Sequence, residues 1–175
     1  MVTRVAHTGQ LSGAELAAGR ALMTDAFAGG FDDEDWDHGL GGMHVLVQED
    51  EALVAHGALV LRRLLHDGRS LRCGYVEAVA VHPDHRGRGH GHAVMAALEE
   101  LAPAYDLLGL ASSEAALHLY SARGWERWRG PTSVLGLHGV EPTPDDDSVH
   151  VWGHDALGLD LDGELTCDWR NGDVW

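Results

Sequence analysis

A glycine-rich stretch, "HRGRGHGHAVMAALEE" at residues 85–100, constrains the fold more than any other feature of the sequence. Gly87, Gly89 and Gly91 run directly into a helical pattern, although glycine inside a helix lowers its stability. The preceding residues, 75–81, are apolar apart from Glu77, as expected for a central strand. A strand that turns through glycines into a helix presents the unpaired N–H groups of the first helical turn. The stretch therefore predicts an α/β fold with an anion site at this junction.

The remaining pattern predicts a single domain over residues 1–175, with helices flanking one mixed central sheet. Strands are predicted at 2–8, 43–48, 52–66, 71–82, 106–113, 132–140 and 149–153, and helices at 12–27, 90–102 and 114–124. The second and third strands are expected to form a hairpin that turns at residues 49–51. Two segments, 28–42 and 141–148, are predicted to be acidic loops, and the tail at 167–175 is polar but rich in tryptophan.

The charge balance limits the classes of partner. The formal net charge is −16, and all 12 basic residues are arginines. This disfavours nucleic acid, because phosphate binding needs a basic face. A cationic substrate would be attracted by such a field, whereas an acidic surface that only keeps the protein in solution is the alternative. No apolar run approaches the roughly 20 residues of a membrane span, so no membrane association is expected.

The cysteines and histidines indicate neither a disulfide framework nor a metal centre. Cys73 and Cys167 have no metal-ligand spacing, and one pair alone does not make a disulfide framework. Because the first residues do not read as a signal peptide, a cytoplasmic location is expected. The 13 histidines form no H-x-x-x-H helix pattern and no His/Cys cluster, so no metal site is predicted.

The glycine spacing separates the stretch from two common phosphate-binding motifs. A P-loop needs a lysine that this chain lacks, and the dinucleotide pattern G-x-G-x-x-G differs from the G-x-G-x-G found here. Arg86, Gly89 and Gly91 instead match R-x-x-G-x-G. A flexible turn without a ligand is the alternative interpretation.

The segment "VEAVAVHPDHRGRGHGHAVMAAL" resembles the acetyl-coenzyme A signature of the GNAT superfamily of N-acetyltransferases, and "LYSARGW" resembles a later segment of that fold. Further blocks, among them "DAFAGGFDDEDWDHGLGGMHVLV", "TPDDD" and "CDWRNGDVW", are similar to aminoglycoside 2'-N-acetyltransferases. The resemblance implies a GNAT acyltransferase fold with a splayed strand pair at the coenzyme site. It also implies acetyl-coenzyme A as co-substrate and a cationic aminoglycoside as acceptor. A homodimer is compatible with it.

The coenzyme roles follow from this resemblance. Strand 71–82 would splay from its neighbour, and its main chain at Val79, Ala80 and Val81 would pair with the pantetheine arm. The Val79 N–H would polarise the thioester carbonyl, an oxyanion-type role. Backbone amides of the glycine stretch would hold the pyrophosphate: Arg86, Gly87, Arg88, Gly89, His90 and Gly91.

Two side chains are candidates for proton transfer. Glu77, a carboxylate in an apolar strand, would remove a proton from the incoming ammonium group, directly or through water. An ion pair with a nearby arginine such as Arg72 is the structural alternative. By the resemblance, Tyr120 would donate a proton to the leaving thiolate, the alternative being a core tyrosine. Direct transfer in a ternary complex is preferred over acylation of Cys73, because no His–Asp pair is evident around that thiol.

The substrate contacts are carried over from the same resemblance, since carboxylates and tryptophan rings suit polyammonium sugars. They are Asp35, Trp36, Glu77, Ala78, Asp146, Asp173 and Trp175, the last through its carboxylate. Each acid alone could be ordinary surface, and a frayed tail is the alternative for Trp175. Gly30 and Ala111 depart from the pattern expected of close relatives, which have an aspartate and a serine there.

Two other functions fit part of the sequence. A GNAT enzyme acting on another amine, such as a polyamine, an amino sugar or a peptide N-terminus, would use the same coenzyme half. A non-catalytic aminoglycoside-binding protein would keep the substrate residues without turnover, although the presence of both Glu77 and Tyr120 speaks against it.

Overall fold

The computed structural model describes residues 1–144 and 148–175, and within them it has ten strands and four α-helices. The strands are β1 (Val2–His7), β2 (Met43–Glu49), β3 (Ala52–His66), β4 (Arg69–Val81), β5 (Leu107–Ala111), β6 (Glu126–Arg127), β7 (Thr132–Gly136), β8 (Gly139–Pro142), β9 (Val149–Trp152) and β10 (Leu165–Asp168). The helices are α1 (Gly13–Ala26), α2 (Asp33–Gly39), α3 (His90–Glu99) and α4 (Leu117–Ser121). No helix in this described part of the chain is long and apolar enough to span a bilayer.

The chain divides into two compact units. The first unit comprises residues 1–60 and 76–101, and the second comprises residues 61–75 and 102–175. The two longest strands, β3 and β4, contribute residues to both units.

The first unit is built on an antiparallel arrangement of β1, β2 and the start of β3. Helix α1 begins at Ser12, which forms a capping box with Glu15, the arrangement that satisfies the first N–H groups of a helix. Helix α3 lies close to β3, because a Cβ at Gly57 would stand only 2.6 Å from Cγ1 of Val94. The absence of a side chain at Gly57 therefore fixes the approach of α3 to the sheet.

The second unit carries the mixed part of the sheet, with the strand order β6–β9–β5–β4–β3–β10–β7–β8. β5 runs parallel to β4, with Tyr75 opposite Gly109, and β10 runs parallel to β7. A Cβ at Gly109 would lie 2.8 Å from Sγ of Cys73, so glycine is required where this buried thiol packs. The predicted mixed sheet with flanking helices is confirmed.

Two sequence predictions of local structure were wrong, and one strand was not predicted. Residues 28–42 are not all loop, because Asp32 and Asp35 form a capping box that starts α2. Residues 132–140 do not form one strand but β7 and the start of β8, which pair as a hairpin. The tail begins with a strand, β10, whose four residues were too few to show an alternating pattern. The helices predicted at 90–102 and 114–124 are shorter, at α3 and α4, and each is flanked by a 3-10 turn.

Candidate active site

β4 is irregular at Ala78, which has φ +49° three residues before the end of the strand. A non-glycine residue rarely adopts this conformation, and the local structure must hold it there. The Ala78 carbonyl accepts a hydrogen bond from Nδ1 of His56 at 3.0 Å. Glu77, Ala78 and Val79 are half-buried, so the irregularity leaves the predicted base and the predicted N–H donor partly accessible.

A buried chain of hydrogen bonds supports this carbonyl. His44 and His56 are 0% and 1% exposed, and Nδ1 of His44 lies 2.9 Å from Nε2 of His56. Nε2 of His44 lies 2.8 Å from the Thr8 hydroxyl. Because a carbonyl can only accept, His56 must carry its proton on Nδ1, which makes its Nε2 an acceptor and His44 Nδ1 the donor. Burial lowers the pKa of His56 to about 4 and also lowers the pKa of His44, which favours the neutral form of both rings, with each donating towards Ala78.

The glycine stretch turns in the left-handed region before α3. Gly87 has φ +73°, and Gly89, the N-cap of α3, has φ +85°. A Cβ on either would meet nothing within 4 Å among the described residues. The glycines are therefore needed for their backbone conformation, and the space beside them is open, as a pyrophosphate cradle requires. The first intrahelical hydrogen bond runs from the Ala93 N–H to the Gly89 carbonyl at 3.0 Å. The N–H groups of α3 before Ala93 therefore have no acceptor within the helix.

The arginines of this stretch use their side chains to hold the backbone. Arg86 Nη2 donates to the Ala26 carbonyl at 2.9 Å, and its Nε donates to the Val81 carbonyl at 3.3 Å. Arg88 Nη2 donates to the Asp84 carbonyl at 3.0 Å. The Arg86 side chain thus links α1 to the end of β4. An anion would be bound here chiefly by main-chain amides.

Tyr120 lies on α4 in the second unit and is 6% exposed. Its ring packs against Trp125 with the centroids 6.1 Å apart. Burial raises the pKa of Tyr120 to about 12, so the phenol carries its proton at neutral pH, as a proton donor must. In the same unit Arg72, the alternative partner considered for Glu77, forms its ion pair with Asp106 at 2.8 Å.

The predicted substrate residues have different surroundings. Asp35 is half-buried and accepts a hydrogen bond from the Asp32 N–H at 2.9 Å, as part of the α2 cap. Trp36 is 8% exposed and packs in the core cluster with Met23 and Ala80. Asp173 is exposed, while Asp146 lies outside the described residues. The roles of all four as substrate contacts stay predictions, and for Trp36 the structure shows a core position.

The tail is folded back and anchored by its tryptophan. Trp175 is 4% exposed, and its Nε1 donates to the Thr143 hydroxyl at 3.1 Å. Arg170 Nη2 donates to the Trp175 main-chain oxygen at 2.8 Å, and the Trp175 N–H donates to Asp173 at 3.2 Å. The alternative of a frayed tail is therefore wrong. The tail bends at residues 171–172, where Gly172 has φ +70°.

Comparison with known proteins decides the family. Residues 16–125 match the model described as the acetyltransferase (GNAT) family. The chain belongs to the GNAT family of acetyltransferases. The chain is also 48% identical over 177 residues to an aminoglycoside 2'-N-acetyltransferase of Mycolicibacterium fortuitum, with 98% of this chain and 91% of that protein covered. The predicted resemblance is thereby confirmed.

Solved structures confirm the GNAT fold. An acyl-CoA N-acyltransferase from Pseudomonas aeruginosa superposes with a TM-score of 0.62 at 17% identity, covering 87% of this chain and 99% of that one. Escherichia coli ElaA superposes with a TM-score of 0.61 at 16% identity, covering 86% and 98%. At these identities the likeness concerns the fold alone.

Sequence reasoning missed two features of this GNAT enzyme. The first feature is the hydrogen-bonded pair of His44 on β2 and His56 on β3. Only the register between the two strands brings these rings together. The second feature is a cavity of about 600 Å³ in the second unit, lined among others by Glu114, His118 and Arg127. Among the described residues predicted for the site, none lines this cavity, although its lining residue Ser121 belongs to the segment LYSARGW.

Replacing Gly89 with valine is expected to weaken coenzyme binding. At φ +85° a side chain strains the backbone by about 1–2 kcal/mol, so the free stretch should relax away from this conformation. Because the coenzyme must then restore it, KM for acetyl-coenzyme A should rise roughly 5–30-fold. Gly68→Val is the matched control, because Gly68 has φ +71° with equally open space, in the turn between β3 and β4. Normal coenzyme binding by calorimetry in Gly89→Val would show that the glycine stretch is not the cradle.

Acidification is expected to destabilise the protein through His56. Burial lowers the pKa of His56 from its usual 6.5 to about 4, so folding favours the neutral ring. The free energy of unfolding therefore has its full value, as far as His56 is concerned, above pH 6.5. It falls by roughly 3 kcal/mol in total as the pH decreases from 6.5 to about 4, because the unfolded chain binds the proton first. Urea unfolding across this pH range measures the loss. His56→Gln should flatten the profile, whereas His138→Gln, at an exposed site, should leave it unchanged. Equal profiles in both variants would contradict the assignment.

Proposed function

We propose that this GNAT enzyme transfers the acetyl group of acetyl-coenzyme A to the 2'-amino group of aminoglycosides, a resistance activity, by direct transfer in a ternary complex. The observation that carries the proposal is the 48% identity, over 98% of the chain, to an aminoglycoside 2'-N-acetyltransferase. The net charge of −16 supports a polycationic acceptor.

The glycine stretch fits the coenzyme. Gly87 and Gly89 leave open space where a Cβ would stand, and they precede the first amides of α3. We assign the pyrophosphate to main-chain amides of residues 86–91 and the pantetheine arm to the main chain of Val79, Ala80 and Val81. When bound, the coenzyme supplies an acetyl thioester. We propose no metal in the transfer reaction.

The chain's own groups supply the proton transfers. Glu77 would take a proton from the ammonium group, so that the amine nitrogen can form a bond to the acetyl carbon. The Val79 N–H would donate to the carbonyl oxygen as charge develops there. As the carbon–sulfur bond breaks, Tyr120 would pass its proton to the thiolate. His56 supports this arrangement, because its bond to the Ala78 carbonyl holds the backbone between Glu77 and Val79.

The acceptor would be bound by acidic groups. Asp35 and Asp173 are the described carboxylates that we assign to it, with Asp146 as a third and Ala78 as a main-chain contact. In the tail, the Arg170 guanidinium donates a hydrogen bond to the Trp175 main-chain oxygen. This cation partly neutralises the negative charge of the Trp175 carboxylate. Asp173, which is exposed, is therefore the stronger candidate for attracting an ammonium group.

One assay tests the function. Thiol release from acetyl-coenzyme A is measured with aminoglycosides that bear or lack a 2'-amine. Turnover confined to drugs with a 2'-amine supports the proposal. Turnover only with polyamines or simple amino sugars would assign the enzyme to another acceptor, and stoichiometric drug binding without thiol release would make it a binding protein.

Removing the Tyr120 hydroxyl is expected to slow turnover without unfolding the protein. In Tyr120→Phe the thiolate must leave unprotonated, and we expect a fall in kcat of about a hundredfold, the low end of the range for a general acid. Tyr105→Phe, in the same unit, is the control. A wild-type kcat in Tyr120→Phe would return Tyr120 to the core tyrosines.

We further propose that the enzyme acts as a single domain in the cytoplasm and forms a homodimer. The β7–β8 hairpin supports the homodimer, because Leu135, Leu137 and Val140 are 44%, 89% and 52% exposed on it. β8 ends the strand order of the second unit, and exposed apolar side chains grouped on a hairpin of this kind favour contact with another chain. Analytical ultracentrifugation of the full chain tests this.

A further inference from the structure

Three potential metal ligands from separate segments of the first unit meet beside the glycine stretch. Glu49 ends β2, His85 ends the 3-10 turn at Pro83–His85, and His90 is the first residue of α3. Nδ1 of His85 lies 3.1 Å from one carboxylate oxygen of Glu49, and Nε2 of His90 lies 3.4 Å from the other. One ligand atom from each residue lies within 4.8 Å of the other two.

His90 is the observation that points to a ligand. Its side chain is 2% exposed, and within the described residues neither ring nitrogen has a hydrogen-bond partner. A buried polar group without a partner is costly, and its presence needs an explanation. The 3.4 Å approach to Glu49 does not meet hydrogen-bond geometry, so the ring faces the carboxylate without bonding to it.

The distances and chemistry suit zinc. Zn²⁺ binds imidazole nitrogen and carboxylate oxygen at about 2.0–2.2 Å, which in a tetrahedron separates ligand atoms by roughly 3.3–3.6 Å. The His85 and His90 nitrogens lie 3.1 and 3.4 Å from different oxygens of Glu49, so an ion between them would be held by both oxygens, or by one after a small rotation of the carboxylate. Two histidines and a glutamate form a known three-ligand zinc set that leaves the fourth position to water. We propose that Glu49, His85 and His90 form a zinc-binding site.

One positive charge near the cluster must be accommodated. Arg88 Nη1 lies 3.7 Å from the Glu49 carboxylate, but its side chain is 56% exposed and can turn into solvent. His85 Nδ1 donates a hydrogen bond to the Glu49 carboxylate, so the two groups already face each other. The zinc ion would replace the proton that His85 Nδ1 shares with Glu49.

The position of the ligands gives the site a structural role. His85 and His90 flank Gly87 and Gly89, so one ion would hold both ends of the glycine stretch to the end of β2. Binding would therefore close a short loop and restrict its backbone. The sequence predicted no metal because the cluster joins residues 36 and 5 positions apart, spacings that match no helical or Cys/His motif.

The test measures zinc binding without coenzyme or drug, so its result is independent of the proposed function. The full chain, without a histidine tag, is stripped with a chelator and titrated with Zn²⁺ by calorimetry and with Co²⁺ by absorption spectroscopy. We expect one ion per chain and the visible bands of tetrahedral Co²⁺. Glu49→Gln and His85→Gln should still fold, because each side chain is 27% exposed. Their zinc affinity should fall by more than the roughly 10–100-fold that is lost when a residue supporting a metal ligand is replaced.

Two further variants make the test specific. His92→Ala removes an exposed histidine of α3 and should leave zinc affinity unchanged. Glu126→Gln removes a ligand of the other cluster within the described residues, Glu126, His154 and Asp155, where both acids are exposed. The proposal is overturned by absence of binding in the wild type, by unchanged binding in Glu49→Gln and His85→Gln, or by loss of binding in Glu126→Gln instead.

Discussion

Glu77→Gln is expected to lower kcat for acetyl transfer by about two to four orders of magnitude, the range for loss of a general base. Glutamine keeps the shape of the side chain at this half-buried position but cannot accept the proton of an ammonium group. The remaining rate should rise with pH, because a growing fraction of the acceptor then arrives as free amine. Steady-state kinetics from about pH 6 to about pH 9 measures both effects.

The control for this experiment is Glu100→Gln, which removes an exposed carboxylate just beyond α3. It should leave kcat and its pH profile at the wild-type values. Coenzyme affinity should be unchanged in both variants, since neither alters the glycine stretch. If Glu77→Gln retained the wild-type rate and profile, Glu77 would have no part in the proton transfer.

Trp175→Ala is expected to lower the free energy of unfolding by about 3–5 kcal/mol, the usual cost of truncating a buried tryptophan. The indole is 4% exposed, and its loss also leaves the Thr143 hydroxyl without that donor. For a chain of this length the change corresponds to a fall in Tm of roughly 6–20 °C. Trp169→Ala is the matched control, because Trp169 lies on the same tail segment but is 55% exposed, so its truncation should cost little.

A second arm separates the stability of the tail from its charge. Asp173→Asn keeps the indole in place but removes a carboxylate that we assign to the aminoglycoside. We expect near-normal Tm and drug binding weaker by about 1.5–3 kcal/mol, the value of a hydrogen bond to a charged group. Unchanged drug affinity in Asp173→Asn would leave the tail with a structural role only.

The sequence predicted the elements whose signals are local. The hairpin of β2 and β3, the helix predicted from residue 12 and the turn through Gly87 and Gly89 depend on neighbouring residues, and they are present in the structure. Helix α2 was missed although its capping pair, Asp32 and Asp35, is a local signal, because the surrounding glycines and acids favoured a loop.

The features that could not be predicted depend on contacts between distant residues. Ala78 has no sequence property that indicates φ +49°, which instead accompanies a hydrogen bond from His56, 22 positions earlier. Likewise, Glu49 and His85 come together only because β3, β4 and the 3-10 turn bring the chain back to the end of β2. Side-chain clusters of this kind follow from register and packing, and a single sequence records neither.

The place of β10 in the sheet has a consequence for biosynthesis. β10 lies between β3 and β7, although it is the last of the three to leave the ribosome. Until residues 165–168 have been synthesised, residues 64–65 of β3 and the facing edge of β7 lack this partner, so the second unit cannot complete its sheet. The first unit contains no residue beyond 101 and has no such constraint. A nascent chain that has not yet made β10 is therefore expected to expose two unpaired strand edges, the condition in which it is most prone to aggregation.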